Sequence, residues 1–316
     1  MSSANYLLQN IALGIRHCVE LNRVLAQGHT PAQRYRILEL KALGRCIELS
    51  GCIQSTEFDE SYYHESLIFP AFAFSRTIKR VLCFGGANGG LLNRLRLVPS
   101  IEEVVQVDID PQLYALSRHY LPFLHAREPL PFKHTMHFHP SPYEWLEELS
   151  VSELGQFDLV IADLPDAIGD SYVPQLFTLS FYDKIKLLLS ETGAIATQAG
   201  QLNTLDMGFH LRARSTMQAC FNHVVSYASF VPSYGTPWGF LYASNNINPE
   251  HLSHDDLALN LSTIDLSESK YYDLQSHAHI FNLSKPIRRA MSNSNIAVIQ
   301  VDRLATVDVA GGEERE

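Results

Sequence analysis

Residues 81–90 read VLCFGGANGG, and the fold class of the chain follows from them. Four apolar residues typical of a strand lead directly into paired glycines, and a short helical pattern, Gly90–Leu95, follows. Glycines at such a junction adopt positive φ and let a ligand approach the backbone closely. The segment predicts the first strand, turn and helix of an α/β fold. Taken alone, it is also compatible with a tight turn that binds nothing.

Acidic residues end two later strands. The run VVQVD closes on Asp108, FDLVIAD closes on Asp163, and Asp166 follows in the next loop. Ligands of open α/β sheets bind outside the carboxyl ends of the strands, where an acid can accept both hydroxyls of a ribose. Asp108 therefore predicts a nucleoside ligand, either a dinucleotide or an S-adenosyl compound. Asp163 and Asp166 predict a bound cation beside it, although an acid in this loop can also cap the next element.

Composition narrows the class of ligand. The 316 residues carry a formal net charge of −10, which disfavours nucleic acid and favours small cations. The longest apolar stretches, such as residues 66–74, reach only about half the ~20 residues that cross a bilayer, so we expect no membrane segment. Five cysteines without a metal-ligand spacing indicate reduced thiols and a cytoplasmic protein. In HTMHFH (134–139), His137 and His139 would share one face of a strand but lack a third ligand, so no metal site is predicted.

The chain divides into four predicted segments. Apolar residues at Leu8, Ile11, Ile15, Cys18 and Leu25 follow helical spacing and predict an N-terminal helix within residues 1–30. Short strand-like runs predict a β-meander domain over residues 31–66, and alternating strands and helices predict a catalytic domain over 67–302. Residues 303–316 are predicted to form a flexible acidic tail.

Five segments, in order, resemble the motifs of the spermidine synthase family of polyamine aminopropyltransferases. They are GCIQSTEFDESYYHE (51–65), VLCFGGANGG (81–90), VVQVDIDP (104–111), FDLVIADLPDA (157–167) and KYYDLQSHAHIFNL (270–283). The resemblance spans residues 34–291, and VPSYGTPWGF (231–240) is nearer to the bacterial spermidine-synthase-like proteins. It implies a Rossmann-like, doubly wound, mostly parallel α/β sheet of the S-adenosylmethionine-dependent methyltransferase type. A small N-terminal antiparallel β domain and a homodimer are implied as well.

The resemblance also implies a reaction. An aminopropyl group would pass from decarboxylated S-adenosylmethionine, a co-substrate, to a diamine or polyamine, with release of methylthioadenosine and without a prosthetic group. The residues implied for the donor are Gln54, Gly85, Gly86, Asn88, Gly89, Asp108 and Ser141. The residues implied for the cationic amine are Tyr63, His64, Asp163, Asp166, Gln198 and Tyr234, with Asp163 and Tyr63 as the catalytic pair. A carboxylate suits that role, because amines with a pKa near ~10 arrive protonated and must lose a proton before they attack.

Four positions depart from the family pattern, the first of which is Ala87 in place of a glycine. The usual GGGDGG motif is GGANGG here, so Asn88 replaces the acid implied to hold the donor's terminal ammonium. Ser141 stands where the family carries an acid near adenine, and His64 stands where glutamine is common. Two alternatives therefore remain beside aminopropyl transfer. One is an S-adenosylmethionine-dependent methyltransferase, and the other is a divergent homologue with weak or no catalysis.

Overall fold

The computed structural model describes residues 5–126, 128–165, 167 and 173–306. The predicted amine contact Asp166 lies outside the described residues, as does most of the predicted acidic tail. The described chain contains an N-terminal antiparallel sheet and a larger mixed sheet covered by helices. The predicted fold class is confirmed.

The N-terminal sheet is a meander in which each strand pairs with the next. Its strands are β1 (Asn5–Ala12), β2 (Ile15–His29), β3 (Arg34–Leu40), β4 (Gly44–Leu49) and β5 (Cys52–Thr56). They lie in the order β1-β2-β3-β4-β5, and every pairing is antiparallel. The predicted meander is therefore present, with two further strands ahead of it.

The predicted N-terminal helix is wrong, because this segment forms the β1–β2 hairpin. Gly14 turns the chain at φ 79°, and Leu7 pairs with Val19 across the hairpin. Leu7 and Val19 are buried, whereas Leu8 and Ile15 are 48% and 43% exposed. Buried and exposed side chains therefore alternate along the hairpin with a period of two residues. The apparent helical spacing included residues on the outer face, and pairing between strands overrode it.

The larger sheet carries the ligand-binding edge. Its strands are β6 (Arg80–Gly85), β7 (Glu103–Asp108), β8 (Lys133–Phe138), β9 (Phe157–Asp163), β10 (Leu189–Gln201), β11 (His223–Val231) and β12 (Thr236–Ser244). Their order is β11-β12-β10-β9-β6-β7-β8. The pairings from β10 to β8 are parallel, whereas β12 is antiparallel to both neighbours. Strand order reverses between β6 and β9, and open α/β sheets bind ligands at such a switch point.

Helices cover both faces of this sheet. They are α1 (Glu60–Phe74), α2 (Gly90–Leu95), α3 (Pro111–Tyr120), α4 (Pro142–Glu148), α5 (Leu179–Leu188), α6 (Gly208–Cys220), α7 (His254–Leu261), α8 (Leu274–Phe281) and α9 (Lys285–Met291). Along β6, Val81 and Cys83 join the core beneath α1, while Leu82 and Phe84 join the core beneath α5 and α6. The strand is therefore buried on both sides, as its continuous apolar sequence predicts. Within the described part of the chain, every helix is too short or too polar to cross a lipid bilayer.

Candidate active site

A cleft opens where the carboxyl ends of β6, β7 and β9 face the N-terminal sheet. Predicted site residues on its wall are Gln54, Tyr63, Gly85, Gly86, Asn88, Asp108, Asp163 and Tyr234. Apolar side chains line most of the remainder, among them Ile47, Leu49, Val107, Ile109, Leu113 and Pro142.

The glycine turn lies against the end of β9. Gly85 and Gly86 have φ values of 80° and 73°, which other residues rarely adopt. A Cβ atom on Gly85 would lie 2.0 Å from the carbonyl oxygen of Asp163, and one on Gly86 would lie 3.2 Å from its Oδ2 atom. Because these two positions carry no side chain, the turn after β6 can lie directly against Asp163 at the end of β9.

Asp108 is buried at the end of β7 and retains capacity to accept further hydrogen bonds. Its Oδ2 atom accepts from the backbone N–H of Ala87 at 3.1 Å, and its Oδ1 atom accepts from that of Asp110 at 2.9 Å. Each oxygen keeps a second lone pair for a ligand hydroxyl. Burial raises the pKa of Asp108 to about 6 despite these bonds.

Asp163 and Tyr63 form a hydrogen-bonded pair on the cleft wall. The Tyr63 hydroxyl donates to Oδ1 of Asp163 at 2.8 Å and joins α1 to β9. Burial raises the pKa of Asp163 above its usual value, while the charge of His64 and the bond from Tyr63 act in the opposite direction. A carboxylate of raised pKa beside a cleft is suited to accept a proton.

Aromatic rings lie beside the Tyr63–Asp163 pair, and one of them is hydrogen-bonded to the backbone of the N-terminal sheet. Tyr234 packs edge-on against Tyr63 with ring centroids 6.0 Å apart, and its hydroxyl donates to the backbone oxygen of Gln54 at 2.7 Å. Trp238 packs against the other side of Tyr234. The N-terminal sheet and β12 are thus joined at the amine side of the predicted site, where π-faces favour a cation.

Comparison with known proteins decides the family. The family model of the spermine/spermidine synthase domain matches residues 60–252. Polyamine aminopropyltransferase 2 of Hyperthermus butylicus is 30% identical over 284 residues, which cover 87% of this chain and 88% of the relative. The polyamine aminopropyltransferase of Sulfurisphaera tokodaii is 30% identical over 283 residues, covering 88% and 90%. This chain belongs to the spermine/spermidine synthase family. The predicted family and enzyme class, an aminopropyltransferase, are confirmed.

Solved structures of spermidine synthases share the fold of this family member. The enzyme from Thermotoga maritima superposes with a TM-score of 0.77 at 23% identity, covering 92% of this chain and 96% of that one. A spermidine synthase in complex with the transition state analogue AdoDATO superposes with the same score at 22% identity, covering 92% and 97%.

Four predicted contact residues do not line the cleft among the described side chains. Gln198 is buried, and its amide donates to the carbonyl oxygens of Leu164 and Pro165 at 3.0 and 3.3 Å, so it holds the loop after β9. Ser141 caps α4, because its hydroxyl accepts from the backbone of Glu144. The other two are Gly89, which precedes α2, and His64, which is fully buried behind Asp163. Ligand contacts of these four stay predictions.

Asn88, the altered position, faces the cleft and is held in place by the backbone. Its Oδ1 atom accepts from the backbone N–H of Gly90 at 2.9 Å, and Ser117 donates to its carbonyl oxygen at 2.6 Å. The side chain therefore lies against the first residue of α2, and its amide group brings no charge to this part of the wall.

The sequence predicted one site residue in the N-terminal sheet, Gln54, but not the rest of the contribution of this sheet to the wall. Gln33, Ile47 and Leu49 line the cleft. Thr30 donates to Oδ2 of Asp110 at 2.5 Å and links this sheet to the start of α3. Within VVQVDIDP, Asp110 was the local signal of this link, since an acid that follows Asp108 can accept a hydrogen bond from a distant segment.

Proposed function

We propose that this protein transfers an aminopropyl group from decarboxylated S-adenosylmethionine to a diamine or polyamine and releases methylthioadenosine. The main support for this proposal is the hydrogen-bonded pair of Tyr63 and Asp163, which faces the same cleft as the glycine turn and Asp108. The relatives that match this chain are polyamine aminopropyltransferases, which supports the same reaction.

The donor occupies the side of the cleft formed by β6 and β7. Asp108 accepts the ribose hydroxyls, because both of its oxygens face backbone donors and keep free lone pairs. The apolar residues Ile109, Leu113 and Pro142 enclose the adenine. Gly85 and Gly86 let the sulfonium end pass close to the backbone.

The acceptor amine enters as an ammonium ion and binds beside Asp163. Asp163 takes one proton, and the neutral nitrogen attacks the carbon attached to the sulfonium. The new C–N bond forms as the C–S bond breaks, and the sulfur keeps the electron pair as a neutral thioether. Tyr63 orients the carboxylate, and Tyr234 supplies an aromatic wall for the rest of the cation. Holding the reactants in contact and removing one proton are the main tasks of the protein.

Product analysis tests this proposal. Purified protein is incubated with decarboxylated S-adenosylmethionine and a panel of diamines and polyamines, and the products are identified by mass spectrometry. Methylthioadenosine and an amine lengthened by one aminopropyl group are expected in equal amounts. If no amine of the panel yields methylthioadenosine, the proposed function fails.

Methyl transfer is a second candidate, which the uncharged Asn88 favours. An acid at this position would hold the ammonium of an aminopropyl tail, and an amide holds it less strongly. Calorimetry with both donors separates the two reactions. Tighter binding of the decarboxylated donor supports aminopropyl transfer, and tighter binding of S-adenosylmethionine supports methyl transfer.

We also infer that the enzyme is a cytoplasmic homodimer. The five cysteines are free thiols, which suits a reducing compartment. The N-terminal sheet exposes a group of large apolar side chains, as an interface does: Tyr6, Leu8, Leu13, Ile15 and Val24. Light scattering should give twice the chain mass, and subcellular fractionation should recover the protein with soluble cytoplasmic enzymes.

A further inference from the structure

A buried histidine lies behind the acid of the candidate site. His64 on α1 is fully buried, and its Nε2 atom lies 4.0 Å from Oδ2 of Asp163. This nitrogen has no hydrogen-bond partner among the described residues, although it is shielded from solvent. The separation is too long for a hydrogen bond, so any effect of the ring on Asp163 depends on its charge.

Both ring nitrogens of His64 face acceptors. Nδ1 lies 2.8 Å from the carbonyl oxygen of Glu60 and 3.3 Å from its carboxylate. A neutral ring has one N–H, and Nδ1 needs it to donate to Glu60. Nε2 would then turn a lone pair toward the Asp163 carboxylate. An imidazolium ring presents an N–H at each end, so the geometry favours the protonated state.

The surrounding charges favour the same state. From α2, the Arg94 guanidinium pairs with Glu60 and with Glu65, both buried residues of α1. The carboxylates of Glu60, Glu65 and Asp163 carry three negative charges, and Arg94 carries one positive charge. Two negative charges are therefore unbalanced, and a protonated imidazole ring reduces this excess to one. Burial by itself lowers the pKa of His64. Its bond to Glu60 and the nearby carboxylates outweigh burial and Arg94, and the pKa is raised.

The start of α2 makes room for this ring. A Cβ atom on Gly90 would lie 2.2 Å from Cε1 of His64, closer than any side chain tolerates. The last glycine of GGANGG therefore permits the imidazole to sit behind Asp163. The turn that borders the donor side of the cleft thus also determines where the His64 ring lies.

We propose that His64, held protonated by Glu60, is a positioning residue that keeps Asp163 ionised. This inference rests on the proposed function and deepens it. The Asp163 side chain is only 8% exposed, and burial favours its neutral form. A neutral Asp163 would neither attract an ammonium ion nor accept its proton. A fixed cation 4.0 Å from its Oδ2 atom offsets that tendency.

The protonation state can be measured without turnover. In ligand-free protein carrying ¹⁵N-labelled histidine, the signals of His64 are assigned by their loss in His64→Gln. Both ring nitrogens should be protonated near pH 6.5, the ordinary pKa of histidine, and should titrate only above it. A neutral ring at that pH overturns the proposal. This result is independent of whether aminopropyl transfer is the reaction.

The pH dependence of kcat/KM tests the effect on Asp163. Removing a cation at this distance in His64→Gln should move the acidic limb to higher pH by at least about one unit. The matched control is His210→Gln. His210 is also fully buried against a glycine, but it contacts Ser226 and burial lowers its pKa to about 3. His210→Gln should leave the acidic limb of kcat/KM at the same pH as in the wild type.

Either of two kinetic results overturns the proposal. In the first, the acidic limb of His64→Gln coincides with that of the wild type. In the second, His210→Gln moves the limb as far as His64→Gln does, which would indicate general loosening of the core. Absence of turnover with every amine counts against the proposed function instead, and the ring titration still decides the state of His64.

Discussion

At the scale of single residues, we propose that the donor's aminopropyl tail lies beside Asn88. Replacement of Asn88 by Asp keeps the oxygen that accepts from Gly90 and adds a negative charge to the cleft wall. A charge-assisted bond exceeds a neutral one by about 1 kcal/mol, so the Kd for decarboxylated S-adenosylmethionine should fall roughly fivefold in Asn88→Asp. Calorimetry measures it.

Methylthioadenosine provides the control for this variant, since it lacks the terminal ammonium. Its Kd should be the same for wild type and Asn88→Asp. An unchanged or weaker affinity for the decarboxylated donor would show that the tail does not reach Asn88.

The Asp108 carboxyl should make donor binding depend on pH. Its pKa is raised to about 6 in the ligand-free protein, and a protonated carboxyl loses acceptor capacity for the ribose. Because the ligand prefers the ionised form, donor affinity should be constant well above that pH and fall by up to about tenfold per unit below it. Titration calorimetry across this range measures the slope.

Asp108→Asn is the matched control for this dependence. It should bind the donor more weakly at neutral pH and lose the slope near pH 6, because the amide does not titrate. A slope that persists in Asp108→Asn would assign the dependence to another group.

At the scale of elements, Gly85, where β6 meets the following turn, has no room for a side chain. Gly85→Ala introduces a Cβ atom against the Asp163 carbonyl oxygen, in addition to unfavourable positive φ. Gly51→Ala is the control, since Gly51 has φ 97° and open space around it. We expect Gly51→Ala to cost about 1–2 kcal/mol from φ alone, and Gly85→Ala to cost a further ~1–3 kcal/mol from overlap. Urea denaturation compares them, and equal losses would refute the close approach.

Elements specified by nearby residues were predicted well. The helix Gly90–Leu95 directly follows the glycine turn, and the strand Phe157–Asp163 is a mostly apolar run that ends on an acid. The hairpin of β1 and β2 failed for a physical reason. Its strands are defined by each other, and the spacing of Leu8 and Ile15 carries no information about that pairing.

At the scale of the whole molecule, topology explains which parts of the site were predictable. Asp108 and Asp163 end strands on either side of β6, so the parallel order brings them to one edge. Gln33 and Leu49 depend on how the N-terminal sheet packs against that edge, which no local pattern encodes. The same holds for Gln198, because its amide turns toward the loop after β9 rather than into the cleft.

The central claim is that the joined sheets present an amine to Asp163 for proton removal. Single-turnover release of methylthioadenosine, with saturating donor and amine, measures that step in wild type and Asp163→Asn. The claim predicts a rate lower by about 10²–10⁴ in the variant, the usual contribution of a general base, with donor Kd unchanged. A variant that releases methylthioadenosine at the wild-type rate would contradict it.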